Sequence, residues 1–239
     1  MMALTATATT VTRRKIISSL SMNKCHVISR NPCKPNIQYV VRPKTTIEEV
    51  FAPIVDDILV KKRNAQRTIV FCRNFKECFD IYQYFRVHLR LDMYYPPTAP
   101  HLSKFRLVDM FTSVTDESVK TNIIRNFTSP NGHCRVVIGT IAFGLGLDSP
   151  NVRKVIHWGP SADIESYVQE SGRVGRDGLP AVAILYYEKL DFSKVKGVSE
   201  GMKNYCENSD ECRKYLLFCD FDQCVNKVVI PTCKCCDIC

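Results

Sequence analysis

Hydrophobic and polar positions along this chain follow two alternating periods. From Thr46 to Lys61, Ile47, Val50, Phe51, Ile54, Val55, Ile58 and Leu59 recur at the 3.6-residue spacing of a helix with one buried face. Phe75, Cys78, Phe79, Tyr82, Phe85 and Leu89 repeat that spacing. Between the two lies TIVFC, a short apolar run rich in β-branched residues, as expected of a strand covered on both faces. RVVIG, KVIHW and AVAILYY are runs of the same kind, and DIESYVQES predicts a helix between the last two. A further helix is predicted from Asp116, with acids in its first turn where the helix dipole favours them. Near the start, VTRRKIISSL places Ile16, Ile17 and Leu20 on one helical face, and CHVIS and NIQYVV read as strands. Residues 91–113, with three prolines between Pro96 and Pro100, read as an irregular loop. Strands alternating with helices predict an α/β fold, a parallel sheet with helices on both faces. After about residue 191 the character changes to acidic spots, aromatic residues and eight cysteines from Cys206 onward.

Composition narrows the classes. A chain of 239 residues can bury one full domain and a small module, divided here at residues 1–190 and 191–239. No apolar run approaches the roughly 18 residues that span a bilayer, so no membrane association is expected. The net charge is +9, and its placement is uneven. Residues 1–47 carry eight Lys and Arg and no Asp or Glu, which suits a phosphate backbone or an acidic partner. That basic, Ser- and Thr-rich end also imitates a mitochondrial transit peptide, but its helix and strand patterns favour a structural role. With no secretory segment, the 13 cysteines are expected as thiols or metal ligands.

The candidate chemistry is concentrated. Seven of the ten glycines fall between Gly139 and Gly178, in VVIGTIAFGLGLDSPNVRKVIHWGPSADIESYVQESGRVGRDG. A strand running into glycine-rich backbone is where α/β sheets meet phosphates. Arg173 and Arg176 are three apart around Gly175, and guanidinium is well suited to neutralise charge on a transferring phosphoryl group. An arginine pair is more often a solvated helix end; the surrounding motif argues against that here. Thr140, Gly144, Gly146 and Asp148 stand at the mouth of a strand, while Arg73 and Asn74 follow TIVFC, where a plain polar strand end carries nearly equal weight. His157 and Trp158 read as packing residues. CKCCDIC at Cys233–Cys239, with Cys212 upstream, offers soft thiolates suited to tetrahedral zinc.

GTIAFGLGLDSPNVRKVIH followed by QESGRVGRDG resembles the fifth and sixth motifs of the RecQ family of superfamily 2 DNA helicases. LTATAT at residues 4–9 resembles the third motif, TIVFCRN the fourth, and the cysteine module the family's zinc-binding subdomain. The resemblance implies a RecA-like domain, beginning at the third motif, followed by a small helical zinc module. It implies Arg176 as a finger toward ATP with Arg173 as its partner, and Gln169 as a nucleotide-sensing residue. Thr140, Gly144, Gly146, Asp148, Arg73 and Asn74 would meet nucleotide or DNA. Cys212, Cys233, Cys236 and Cys239 would hold a structural zinc, with Cys235 as competitor.

Family members bind ATP and magnesium through a Gly-Lys-Thr loop and an acidic box on a first RecA-like domain. No Gly-Lys pair occurs in this sequence, and the family's His-Ala-Gly turn is replaced by the proline-rich loop and MFTSVTDESV. Two functions are therefore expected. One is an ATP-dependent 3′-to-5′ DNA helicase acting in repair, recombination and replication, present as its C-terminal motor half. The other is a non-catalytic RecQ-like chain that binds nucleic acid or a partner. A DEAD-box RNA helicase is disfavoured by Gln169 and the cysteine module. The nucleus is the expected compartment, with cytoplasm and mitochondrion as alternatives.

Overall fold

The structure, a computed structural model, describes residues 2–5, 7–140, 149, 151–193, 197–221 and 235–239. Its helices are α1 (Thr10–Ser19), α2 (Ile47–Lys61), α3 (Phe75–Leu89), α4 (Glu117–Thr128), α5 (Ile164–Ser171), α6 (Glu200–Glu207) and α7 (Arg213–Phe218). Its strands are β1 (Ile37–Pro43), β2 (Arg67–Cys72), β3 (Val108–Phe111), β4 (Val136–Gly139), β5 (Val152–Trp158) and β6 (Ala181–Tyr187). The six form one sheet in the order β1-β6-β5-β2-β4-β3, with every pairing parallel. This is the expected α/β architecture.

Strand alternation sends side chains to two cores. Ile69 and Phe71 of β2 face a core built with α4, α5, α6 and α7. Val70 and Cys72 face the opposite core, against α2 and α3. The helices start where their caps dictate: Thr46, Asn74, Asp116, Asp163 and Ser199 each accept a backbone N–H of the first turn. Met202, Tyr205, Leu217 and Phe218 of the cysteine-rich part share the core of Tyr39 and Tyr167. Among the described residues no helix is long and apolar enough to cross a membrane.

Two sequence expectations are corrected. CHVIS is not a strand; Val27 and Ile28 are exposed, and neither edge of the sheet takes up this segment. Conversely, the expected loop at 91–113 contains strand β3 at the sheet's far edge. Its pattern was obscured by Asp109, a charged residue that is 1 % exposed in the middle of the strand.

Parallel pairing puts all strand C-termini on one edge. After β2 the chain passes along one face through α3 toward β3; after β5 it passes along the other face through α5 to β6. The neighbours β2 and β5 therefore flank a switch point, the place where open α/β sheets form a crevice.

Candidate functional site

At the amino-terminal edge, α5 runs back from β5 and ends at Gly172. The turn that follows is fixed by Gly175, whose φ is +58° and whose N–H donates to the Val152 carbonyl at 3.0 Å. A Cβ there would stand 2.4 Å from Asn36 Nδ2, the amide that clamps the turn by donating to the carbonyls of Gly175 and Leu179. Asp177 forms a two-pronged ion pair with Arg153. Hydrogen bonding from Arg153 holds its carboxyl below the usual range. On this turn Arg173 is buried, with Nε lacking a hydrogen-bond partner among the described residues, while Arg176 is exposed. Burial lowers the Arg173 pKa, the Arg176 charge lowers it further and Glu170 opposes both. Gln169 is exposed on α5.

The carboxyl edge gathers a second group. At the switch point a cavity of about 170 Å³ is lined by residues that include Arg73, His157, Ser161 and Glu170. Arg73 Nη1 donates to the Asp191 carbonyl at 3.2 Å and lies 3.6 Å from Asp191 Oδ1. Asn74 caps α3, its Oδ1 accepting from the Glu77 N–H at 2.9 Å. Thr140 is half-buried just past β4. Arg73, Asn74 and Thr140 thus share one edge, and Arg173 and Arg176 lie beside the start of β5 at the other. Gly144, Gly146 and Asp148 lie outside the described residues.

In the cysteine module, Cys212, Cys235, Cys236 and Cys239 have their sulfurs within 4.8 Å of one another, an arrangement able to hold a metal ion. Cys212 and Cys235 Sγ are 3.5 Å apart, Cys236 and Cys239 Sγ 3.4 Å apart, and the Cys239 N–H donates to Cys236 Sγ. Cys233 lies outside the described residues. The cluster is fixed by Arg213, which follows Cys212 and is 5 % exposed. Its Nε donates to Asp237 Oδ1 at 3.0 Å and its Nη1 to the Tyr205 carbonyl at 2.6 Å. Asp237 in turn accepts from the Val41 N–H of β1 at 3.0 Å.

Sequence reasoning passed over several of these groups. His157, read as packing, does stack on Phe71, but its Nε2 also meets Glu170. Glu170 and Asp191 are buried acids, Glu170 meeting His157 and Ser161 and Asp191 meeting Arg73 and the Glu188 N–H; only their positions, Glu170 within QESGRVGRD and Asp191 after AVAILYY, could have drawn notice. Asp237, next to a candidate ligand, was legible from that adjacency, whereas Arg213 after Cys212 is already part of the resemblance to the zinc-binding subdomain.

Residues 51–178 match the family model described as "Helicase conserved C-terminal domain". The chain is similar to ATP-dependent DNA helicase Q-like 2 of Arabidopsis thaliana, with 31% identity over 93% of this chain and 31% of that protein. It is similar also to ATP-dependent DNA helicase Q1 of Pongo abelii, with 30% identity over 100% of this chain and 35% of that protein. The chain thus spans about a third of these relatives' length. Among solved structures, S. cerevisiae Dbp5 bound to RNA and ADP BeF3 superposes with a TM-score of 0.56 at 18% identity, covering 81% of this chain and 46% of that one. That likeness concerns the fold alone: a RecA-like domain.

Proposed function

Because the chain belongs to the helicase C-terminal domain family, in its RecQ-type branch of superfamily 2, we propose that it is the second motor domain of an ATP-dependent 3′-to-5′ DNA helicase. The observation that carries this reading is the turn after α5. One arginine is buried with an Nε that has no hydrogen-bond partner among the described residues, a second is exposed three residues on, and a positive-φ glycine sits between them. Arg176 reaches the phosphates of ATP held on a first RecA-like domain, Arg173 supports it electrostatically, and Gln169 senses the nucleotide. Such a finger is worth about 10³–10⁵ in rate. Arg73, Asn74 and Thr140, at the carboxyl edge, contact the DNA backbone; Gly144, Gly146 and Asp148 are assigned to nucleotide or DNA from the sequence motif alone. Residues 1–190 form the motor domain and 191–239 the metal module. The protein works in the nucleus.

The metal is zinc. Cys212, Cys236 and Cys239 each supply a thiolate, and the fourth comes from Cys233 or Cys235. Four protein ligands leave no open position, so the ion is structural.

The test supplies the missing components. The 239-residue chain alone gives no DNA-stimulated ATP hydrolysis, since it contains no Gly-Lys pair. Joined to the first RecA-like domain of a RecQ-type helicase, with ATP and magnesium, it gains turnover and unwinds a duplex with a 3′ tail. Arg176→Ala then lowers turnover about 10³-fold. Turnover indifferent to Arg176 would sink the finger assignment. The second reading, a non-catalytic chain that binds nucleic acid or a partner, is favoured by the same missing Gly-Lys pair. It predicts single-strand binding with no turnover in either setting.

A further inference from the structure

The amino-terminal edge carries another concentration of positive charge, which the motor reading does not use. Arg67 opens β2, and Arg135 immediately precedes β4. Thr68 pairs in register with Val136, and the Thr68 N–H donates to the Arg135 carbonyl at 2.8 Å, so the two arginines stand side by side on neighbouring strands. They are 2 % and 9 % exposed. Arg67 Nη2 donates to the Ser129 carbonyl and Arg135 Nη2 to the Gly132 carbonyl, both just beyond α4. Arg67 Nε and Nη1 and Arg135 Nε are buried with no hydrogen-bond partner among the described residues.

No carboxylate answers these charges among the described residues. The ionisable groups acting on the pair are Arg67 on Arg135, Arg63, and the Cys134 thiol, and the Arg67 guanidinium lies 5.9 Å from the Phe127 ring centroid. Burial first, and then Arg67, push the Arg135 guanidinium down to about 10. Like charges abreast on a ladder destabilise a sheet, and a buried charge without a counter-charge is costlier still.

The charges open onto a cavity of about 270 Å³ lined by Arg63, Asn64, Pro130, Asn131, Gly132 and Arg135. Its lip is rigid. A Cβ on Gly132 would fall 1.8 Å from the Asn126 carbonyl oxygen, and Asn126 Oδ1 accepts the His133 N–H at 2.6 Å. Arg63 lies 5.8 Å from the ring centroid of Tyr95, which packs on His133 at 5.4 Å. Tyr95 belongs to the proline-rich segment, which thus lies beside Arg63 at the edge of the cavity.

We propose that this cavity binds a phosphate group, contacted by Arg63 and Arg135 and held electrostatically by Arg67 behind them. The phosphate is that of a free oxyanion such as pyrophosphate, or one of a nucleic-acid strand. The competing role for the buried pair is to cap the carbonyl end of α4, as basic residues often do.

Pyrophosphate titrated into the full chain by calorimetry, against chloride at equal ionic strength, separates the two. The wild-type chain binds pyrophosphate and its Tm rises with concentration. Arg63→Gln, an exposed position, weakens binding at least fivefold, and Arg135→Gln at least tenfold. Arg86→Gln on α3 leaves binding unchanged. In anion-free buffer Arg135→Gln melts no lower than the wild-type chain, because it removes an uncompensated charge. A single-stranded oligonucleotide that displaces pyrophosphate assigns the site to a nucleic-acid strand; failure to displace it assigns the site to a free oxyanion. A wild-type chain indifferent to pyrophosphate, or Arg63→Gln and Arg135→Gln variants that bind it as the wild type does, overturns the proposal.

Discussion

Glu170 and His157 meet inside the fold, Oε2 to Nε2 at 3.0 Å, and the same carboxylate oxygen accepts from Ser161 Oγ at 2.6 Å. The contact fastens α5 to the end of β5, so the helix that carries Gln169 and leads to Arg173 cannot turn about its axis. Glu170→Ala leaves His157 and Ser161 without their shared acceptor in the core and is expected to cost about 3 kcal/mol, the upper end for stranding buried polar groups. Glu170→Gln keeps the shape and costs about 1–2 kcal/mol. Urea denaturation midpoints measure both, and an unshifted midpoint for Glu170→Ala would show the contact to be idle.

Gly175→Ala is a backbone experiment on the arginine turn. The position has φ +58°, and the added methyl would meet Asn36 Nδ2 at 2.4 Å. Destabilisation of more than about 1 kcal/mol is expected from strain alone. Thermal melting reads it; a Tm equal to the wild type would mean that the turn relaxes without cost.

Asp109 gives a pH signature. Burial pushes its carboxyl up from 3.8 to about 7, and the ion pair with Arg106 at 3.1 Å offsets only part of that. An acid with a raised folded-state pKa binds more protons folded than unfolded between those two values. Its contribution to stability is therefore full below about pH 4 and declines as pH rises toward about 7. Asp109→Asn should remove that decline, visible as a flatter plot of unfolding free energy against pH. An identical slope in the two proteins would refute the assignment.

The cysteine module calls for paired substitutions. Cys236→Ser and Cys212→Ser are expected to abolish metal binding, measured by metal analysis of the purified chain. Cys233→Ser and Cys235→Ser differ in outcome: only the one that supplies the fourth thiolate lowers metal content, with loss of up to about 10 kcal/mol of binding free energy. Retention of a full equivalent of metal by Cys236→Ser would exclude the cluster as its site.

Much of this was readable from local pattern. The helices α2 and α3 and the strands β2, β4, β5 and β6 declared themselves because each has a period or an apolar run bounded by a cap or turn residue. β3 did not, since Asp109 interrupts its apolar run and folding buries it beside Arg106. CHVIS misled because an apolar run becomes a strand only where it pairs with a sheet edge, and sequence does not say which segment an edge takes up. The register that sets Arg67 beside Arg135 joins residues 68 positions apart, and the Glu170 partners His157 and Ser161 come from a strand end and a loop. Contacts of this kind arise from topology, which no local window contains.

The way Cys235–Asp237 seats on β1 has a consequence for solubility. β1 is the outermost strand on its side, and there the Tyr39 N–H donates to the Cys235 carbonyl at 3.0 Å while the Asp237 N–H donates to the Tyr39 carbonyl at 3.1 Å. A segment that would bind metal is also the cover over an otherwise open row of backbone donors and acceptors. An uncovered edge is a template on which another chain can add a strand. Chelation should therefore do more than loosen a small module: it should make the protein stick to itself, with light scattering rising in step with metal loss.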